Sequence, residues 1–206
     1  MGGLTEPEAL LLAVLNSADS SIEILPLSEE RAAVCAESFG MDCSTLMGAA
    51  ALTTGGIVAD KWVRIYGSGE LDFAQKNEEL TSFGKLLIGE DITGGLFGVE
   101  RSGGISYFAP DTLRWEELGM SMESLIGFIA SEEKLSVFYK ALGFEHRQRL
   151  TERLTLSQGL MFAPPIWAER NVKRSVRLVD MTKLFALEKE LSEQFFAGRV
   201  MPDGLY

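Results

Sequence analysis

Carboxylates and aromatic rings are the side chains with which this 206-residue sequence could do chemistry, because imidazole and thiol are scarce. Glu90 and Asp91 stand side by side, with Asp60 and Asp111 in neighbouring apolar stretches. Two such acids facing each other could divide general acid and general base work. A carboxylate-dependent hydrolase or transferase built on Asp60, Asp91 and Asp111 is therefore the alternative reading of this sequence. Adjacent residues on a strand point to opposite faces, however, so Glu90 and Asp91 would not share a site if extended, and turn or cap roles are the plainer expectation.

A second constellation is Trp62-Val63-Arg64-Ile65-Tyr66, in which alternation puts Trp62, Arg64 and Tyr66 on one strand face. Two large aromatics beside a guanidinium have the composition that protein interfaces favour for anchors. Together with Tyr107, Asp111, Trp115 and Glu116 they form the candidate protein-binding surface. The competing reading is structural. An enclosed Arg64 would need a carboxylate, Glu116 or Asp111 by motif, and Trp62 and Trp115 would then be core residues.

Little else is available for catalysis. His146, between Glu145 and Arg147, reads as a surface residue, and Cys35 and Cys43 have neither metal-ligand neighbours nor a disulfide framework. Gly67-Ser68-Gly69 and Gly94-Gly95 do not fit the phosphate-loop pattern and read as hairpin turns. The expectation is no catalytic set, no metal and no organic cofactor.

The elements that must hold these residues can be read from periodicity. Thr5 and Glu8 have capping-box spacing ahead of an apolar stripe at Leu10, Leu11, Val14 and Leu15, with Asn16-Ser17 as its end. Ile22-Glu23-Ile24-Leu25 alternates like a short strand, and Ser28, Glu29 and Glu30 open a helix that Gly40 would close. Glycine pairs then punctuate short apolar runs, predicting strands at 49–52, 57–59, 62–66, 86–88, 96–99, 105–108 and 113–115 in an antiparallel meander. Helical spacing returns with Met122, Leu125, Ile126 and Ile129, then Leu135, Phe138, Tyr139 and Leu142 before Gly143. Leu150 and Leu154 suggest a further helix before Pro164-Pro165, and 172–179 a strand or extended arm. Asp180 caps a last helix carrying Leu184, Leu187, Leu191 and Phe195, with Gly198 at its end. The predicted fold is α+β in one domain spanning 1–206, a central antiparallel sheet at about 46–115 flanked by N- and C-terminal helices.

Composition narrows the function classes. At 46% hydrophobic and 24% charged the chain is ordinary for a globular domain. Its net charge of −11 argues against nucleic acid as a partner, since that binding relies on Lys and Arg neutralising phosphates. Residues 1–133 hold 7 basic and 22 acidic side chains, a balance of −15, whereas 134–206 hold 12 and 8, a balance of +4. Arg170, Lys173, Arg174 and Arg177 are the densest basic cluster, either a solvated stretch or a contact surface for an anionic partner. No run nears the ~20 apolar residues a bilayer span needs, and the greasy run 9–15 follows acids rather than a basic leader. The expected location is the cytoplasm.

Longer blocks carry a resemblance. Thr54-Gly55-Gly56-Ile57, Trp62-Val63-Arg64-Ile65-Tyr66-Gly67-Ser68-Gly69, Asp91-Ile92-Thr93-Gly94-Gly95-Leu96-Phe97, Tyr107 to Glu116, and Pro164-Pro165-Ile166-Trp167 together resemble a bacterial family known only as a domain of unknown function. The likeness runs across nearly the whole chain, and it brings no enzymatic activity with it. That family usually has a glycine before the tryptophan matching Trp62; Lys61 stands there, which implies a tighter turn. In arrangement, the glycine-bounded hairpin, Tyr-Phe strand, acidic turn and following helix also resemble the SUKH superfamily. That second likeness implies an α+β scaffold presenting a protein-binding surface, as in immunity proteins that neutralise bacterial toxins and in regulatory proteins. The resulting expectation is a non-enzymatic binding module with a protein partner, a toxin among the candidates, and with a homodimer open.

Overall fold

The computed structural model describes residues 3–168 and 172–196. Arg170 of the basic cluster and Gly198, expected to end the last helix, lie outside the described residues. Seven strands form one sheet in strict sequence order, every neighbouring pair antiparallel: β1 (Ile22–Ile24), β2 (Ile57–Ala59), β3 (Val63–Ile65), β4 (Leu86–Asp91), β5 (Leu96–Val99), β6 (Ile105–Ala109) and β7 (Arg114–Met120). A separate hairpin pairs β8 (Gln158–Ala163) with β9 (Ser175–Asp180). The protein is thus α+β with a central antiparallel sheet flanked by helices.

The first helices begin where their caps predict. Thr5 and Glu8 form the reciprocal capping box of α1 (Glu6–Asn16). Ser28 caps α2 (Glu29–Phe39), which ends at Gly40 in the left-handed conformation. Residues 49–52, expected as a strand, belong instead to α3 (Leu46–Thr53), capped by Thr45. An alanine run is the strongest helix former there is, and Ala49, Ala50 and Ala51 are small enough for the middle of the helix to be buried on all sides. The chain forms a further helix inside the meander, α4 (Phe73–Glu79), whose N-cap Asp72 accepts from the Gln75 amide. The sheet consequently runs from Ile22 to Met120, wider than the 46–115 expected, with α2, α3 and α4 inserted.

Helices cover both sheet faces. On one, α5 (Met122–Ile129) and α6 (Glu132–Phe138) bring Phe138 against Tyr107, with ring centroids 5.2 Å apart. On the other, Phe83 packs between Phe108 and Phe185 of α8 (Met181–Phe196), and Lys76 of α4 reaches Glu90. Leu150 falls in a short helix, α7 (Arg147–Thr151), but Leu154 lies beyond it and the chain then enters β8, because the approach to Pro164 is extended.

One crossing sets the geometry of the N-terminal half. The backbones of Leu25-Pro26, Thr54-Gly56 and Gly67-Gly69 meet there, joined by bonds from Gly55 N to Leu25 O (2.9 Å), Leu25 N to Gly56 O (2.9 Å) and Ser68 N to Thr54 O (2.7 Å). A Cβ on Gly55 would overlap the Pro26 carbonyl, and one on Gly67 would overlap Gly56 N and Thr54 O. Glycine is demanded here by close backbone approach, which replaces the hairpin turn expected from Gly67-Ser68-Gly69.

Candidate functional site

The register decides what Arg64 meets. β3 pairs with β4 so that Arg64 lies opposite Glu90, and both side chains are closed off from water. Arg64 Nη1 donates to Glu90 Oε1 at 3.1 Å, and Nη2 donates to the carbonyls of Thr155 at 3.2 Å and Gln158 at 2.8 Å. Glu90 Oε2 also accepts from Tyr66 OH at 2.8 Å and from Lys76 Nζ at 2.9 Å. Burial alone would raise Glu90, but the charges of Lys76 and Arg64 and the bonds from Lys76 and Tyr66 hold its carboxyl below the ordinary range.

Arg64, Trp62, Tyr66 and Tyr107 are therefore buried, at 1%, 0%, 1% and 4% exposure, and the first three do not join a surface patch with the others. Trp62 also parts from Arg64. It precedes β3, outside the alternation, and packs on Tyr139 and Phe144 at centroid distances of 5.7 and 5.3 Å. The expected partners Glu116 and Asp111 do not reach Arg64, because β7 is four strands from β3 and Glu116 sits on the opposite sheet face. Trp115 is half-buried against Phe108 and Lys85, its indole N–H donating to Phe83 O at 3.2 Å.

Asp91 faces away from Glu90, as alternation requires. Its Oδ2 accepts from Tyr107 OH at 2.6 Å and Tyr139 OH at 3.1 Å, while Oδ1 accepts from Thr93 N, Thr93 Oγ1 and Gly95 N. Burial pushes Asp91 above its ordinary value against the pull of those donors. Burial and the Asp91 charge push both tyrosine hydroxyls well up, so they remain donors. The three acids of the alternative reading are not assembled. Asp60 pairs with Arg147, Asp91 is enclosed by tyrosines, and Asp111 is exposed in the β6–β7 turn. Among the described residues no group of three His, Cys, Asp or Glu side chains is placed to hold a metal ion. No helix among them is long and apolar enough to cross a membrane.

What the structure does bring together is a groove of about 740 Å³ beside the β6–β7 turn. Tyr107 and Tyr139 touch its floor, Phe138 and Trp167 line it, and Asp111, Glu116 and Arg174 add charge. Three of the seven candidate residues, Tyr107, Asp111 and Glu116, thus share one concave surface. Arg174 also holds the opposite wall in place through the carbonyls of Pro165 and Ile166. A second groove of about 660 Å³, between α2 and α4, collects none of the candidates. Sequence reasoning missed Trp167, Tyr139 and Glu188. The last left a signal, an acid inside the apolar stripe of Leu184, Leu187 and Leu191.

The tight turn before Trp62 is present. Asp60 and Lys61 have φ of 50° and 55°, and Trp62 N donates to Ala59 O at 2.8 Å, closing a tight turn within the three-residue connection from β2 to β3. Positive φ at Lys61 is the reason a glycine suits that position.

Comparison with known proteins agrees with the sequence blocks. Residues 6–184 match the family described as "Protein of unknown function DUF2625". The chain is also similar to the uncharacterized protein YbfG of Escherichia coli (strain K12), with 25% identity over 195 residues, 88% of this chain and 89% of that one.

Proposed function

Starting from membership of the DUF2625 family, to which this chain belongs, we propose a non-enzymatic protein-binding module that seats a segment of its partner in the groove beside the β6–β7 turn. The observation that carries this reading is the groove itself: a rigid floor of buried tyrosines, flanking aromatics, and exposed acids on the rim. An aromatic centre with a polar rim is the anatomy of a binding interface. The net charge of −11 favours a cationic partner and speeds its approach. An immunity or regulatory role of the SUKH kind, carried out in the cytoplasm, is the specific form of the proposal, with a toxin as partner.

Site-specific photo-crosslinking tests it. A photoreactive residue replaces Asp111 or Glu116 in the groove, and Glu37 on α2 as the remote control, in native cell extract. One protein cross-linked from both groove positions, absent from the Glu37 position and lost on reversing the rim charges, is the expected result. Equal capture from all three positions refutes the reading. Recovery of the chain itself from the groove positions would make the partner a second copy.

A further inference from the structure

Glu188 is a carboxyl that the groove leaves unused. It lies on the buried side of α8 at 6% exposure, and its Oε2 has no hydrogen-bond partner. A carboxyl oxygen kept dry and unpaired is costly unless something completes it. The residue lines a small pocket of about 80 Å³ together with Thr93, Leu160, Leu184, Leu187 and Leu191. The fit to the β4–β5 turn is close: a Cβ on Gly94 would overlap the Glu188 carboxyl. Asp91 of β4 and Tyr107 of β6 are the titratable groups facing it. Asp91 already accepts five hydrogen bonds and needs nothing from Glu188.

We propose that this pocket binds a primary alkylammonium group, carried by a lysine side chain or by a free aliphatic amine, with methylenes along the leucines and nitrogen on Glu188. The walls suit a hydrocarbon stem and offer it little else to do. The unpaired oxygen supplies an acceptor, and the nearby Asp91 charge favours a cation over a neutral hydroxyl. In the empty pocket, burial and the Asp91 charge push Glu188 well above its ordinary value, toward the protonated form. Binding then converts the carboxylic acid and an ammonium into an ion pair, and one proton leaves to solvent for each cation bound. The site goes beyond the groove reading and shares with it only the walls Pro110, Ile166 and Trp167.

Calorimetric titration of the full chain with n-butylamine, in two buffers of different ionisation enthalpy, tests this. Saturable binding with proton release is expected, weakened by about tenfold or more in Glu188→Gln. That variant keeps the fold, because the amide copies the neutral acid. Leu191→Phe, which fills the pocket from its half-buried rim, should lose binding as well. n-Butanol binding as tightly as the amine, binding without proton release, or an unchanged Glu188→Gln each overturns the proposal. Blocked lysine (N-acetyl-lysine methylamide) separates the sources. If it binds alongside butylamine the natural group is a partner's lysine, and if butylamine alone binds it is a free amine. A groove that cross-links its partner in a protein that ignores butylamine refutes this site and leaves the groove reading standing.

Discussion

Replacing Arg64 with alanine should be among the most damaging single changes in this protein, and by an amount that can be worked out. The substitution removes the 3.1 Å ion pair with Glu90 and takes a side-chain donor from the carbonyls of Gln158 and Thr155, of which Thr155 O still accepts from Gln158 N at 3.1 Å. Breaking a buried ion pair from one side costs about 3–5 kcal/mol, because the other charge stays enclosed. Glu90 keeps Lys76 at 2.9 Å and Tyr66 at 2.8 Å, which holds the loss to the lower half of that range. The Gln158 carbonyl, at about 1–3 kcal/mol if left dry and without this donor, pushes it up again. A net loss of about 4 kcal/mol lowers the melting temperature of a domain this size by about 8–16 °C. Urea denaturation at pH 7 measures it, and a double-mutant cycle with Glu90→Gln isolates the pair. Acidification adds a second check. Glu90 titrates below the ordinary glutamate value of 4.5, so its contribution is complete above that pH and is lost as pH falls through the folded value. The gap between parent and Arg64→Ala should therefore narrow below pH 4.5. A loss within about 0.5 kcal/mol, the cost expected of an exposed position, would refute the assignment of Arg64 to the scaffold.

Three further outcomes follow from the same geometry. Glu188→Gln should be favoured over the parent as pH rises. The folded chain holds a proton there that the unfolded chain releases above 4.5, so parental stability declines with pH while the amide does not, as melts across a pH series will show. Lys61→Gly should stabilise by about 0.5–1 kcal/mol in denaturant titration, the relief of positive φ exceeding the added freedom of the unfolded chain. Gly67→Ala should cost about 1–3 kcal/mol in thermal melting, because its Cβ meets backbone on two sides and a neighbouring chain segment must move.

Much of the fold was written locally. Thr5 and Glu8 mark a helix start through bonds spanning three residues, and β5 occupies 96–99 as its apolar run indicates. Helix α4 was hidden because only Phe73 and Asn77 of its seven residues are buried, too few to make a stripe. The candidate surface failed at Arg64 for a related reason. Composition shows that an arginine among aromatics must be paired or exposed, but which of these holds depends on strand register, a contact between residues 64 and 90. The acids at 90 and 91 were correctly set on opposite faces, and each then found donors supplied by distant segments. Tyr107, Asp111 and Glu116 did converge on the groove, since all three belong to one hairpin and its turn.

The glycine crossing has a consequence for how this chain can vary in length. Leu25 and Gly55 are held together by direct backbone bonds, so everything between them, α2 and α3 included, leaves one point and returns to it. For such a closed loop, length enters only logarithmically, and doubling it costs about 0.6 kcal/mol. Insertions near the exposed Ser44 of the α2–α3 connection are accordingly cheap. Between Thr54 and Gly69 the same freedom is absent, because both ends of that stretch lie in the crossing and a tight three-residue connection joins its strands. Length differences among relatives should gather in the first segment and be rare in the second, making the crossing a fixed point about which the rest of the N-terminal half can be rewritten.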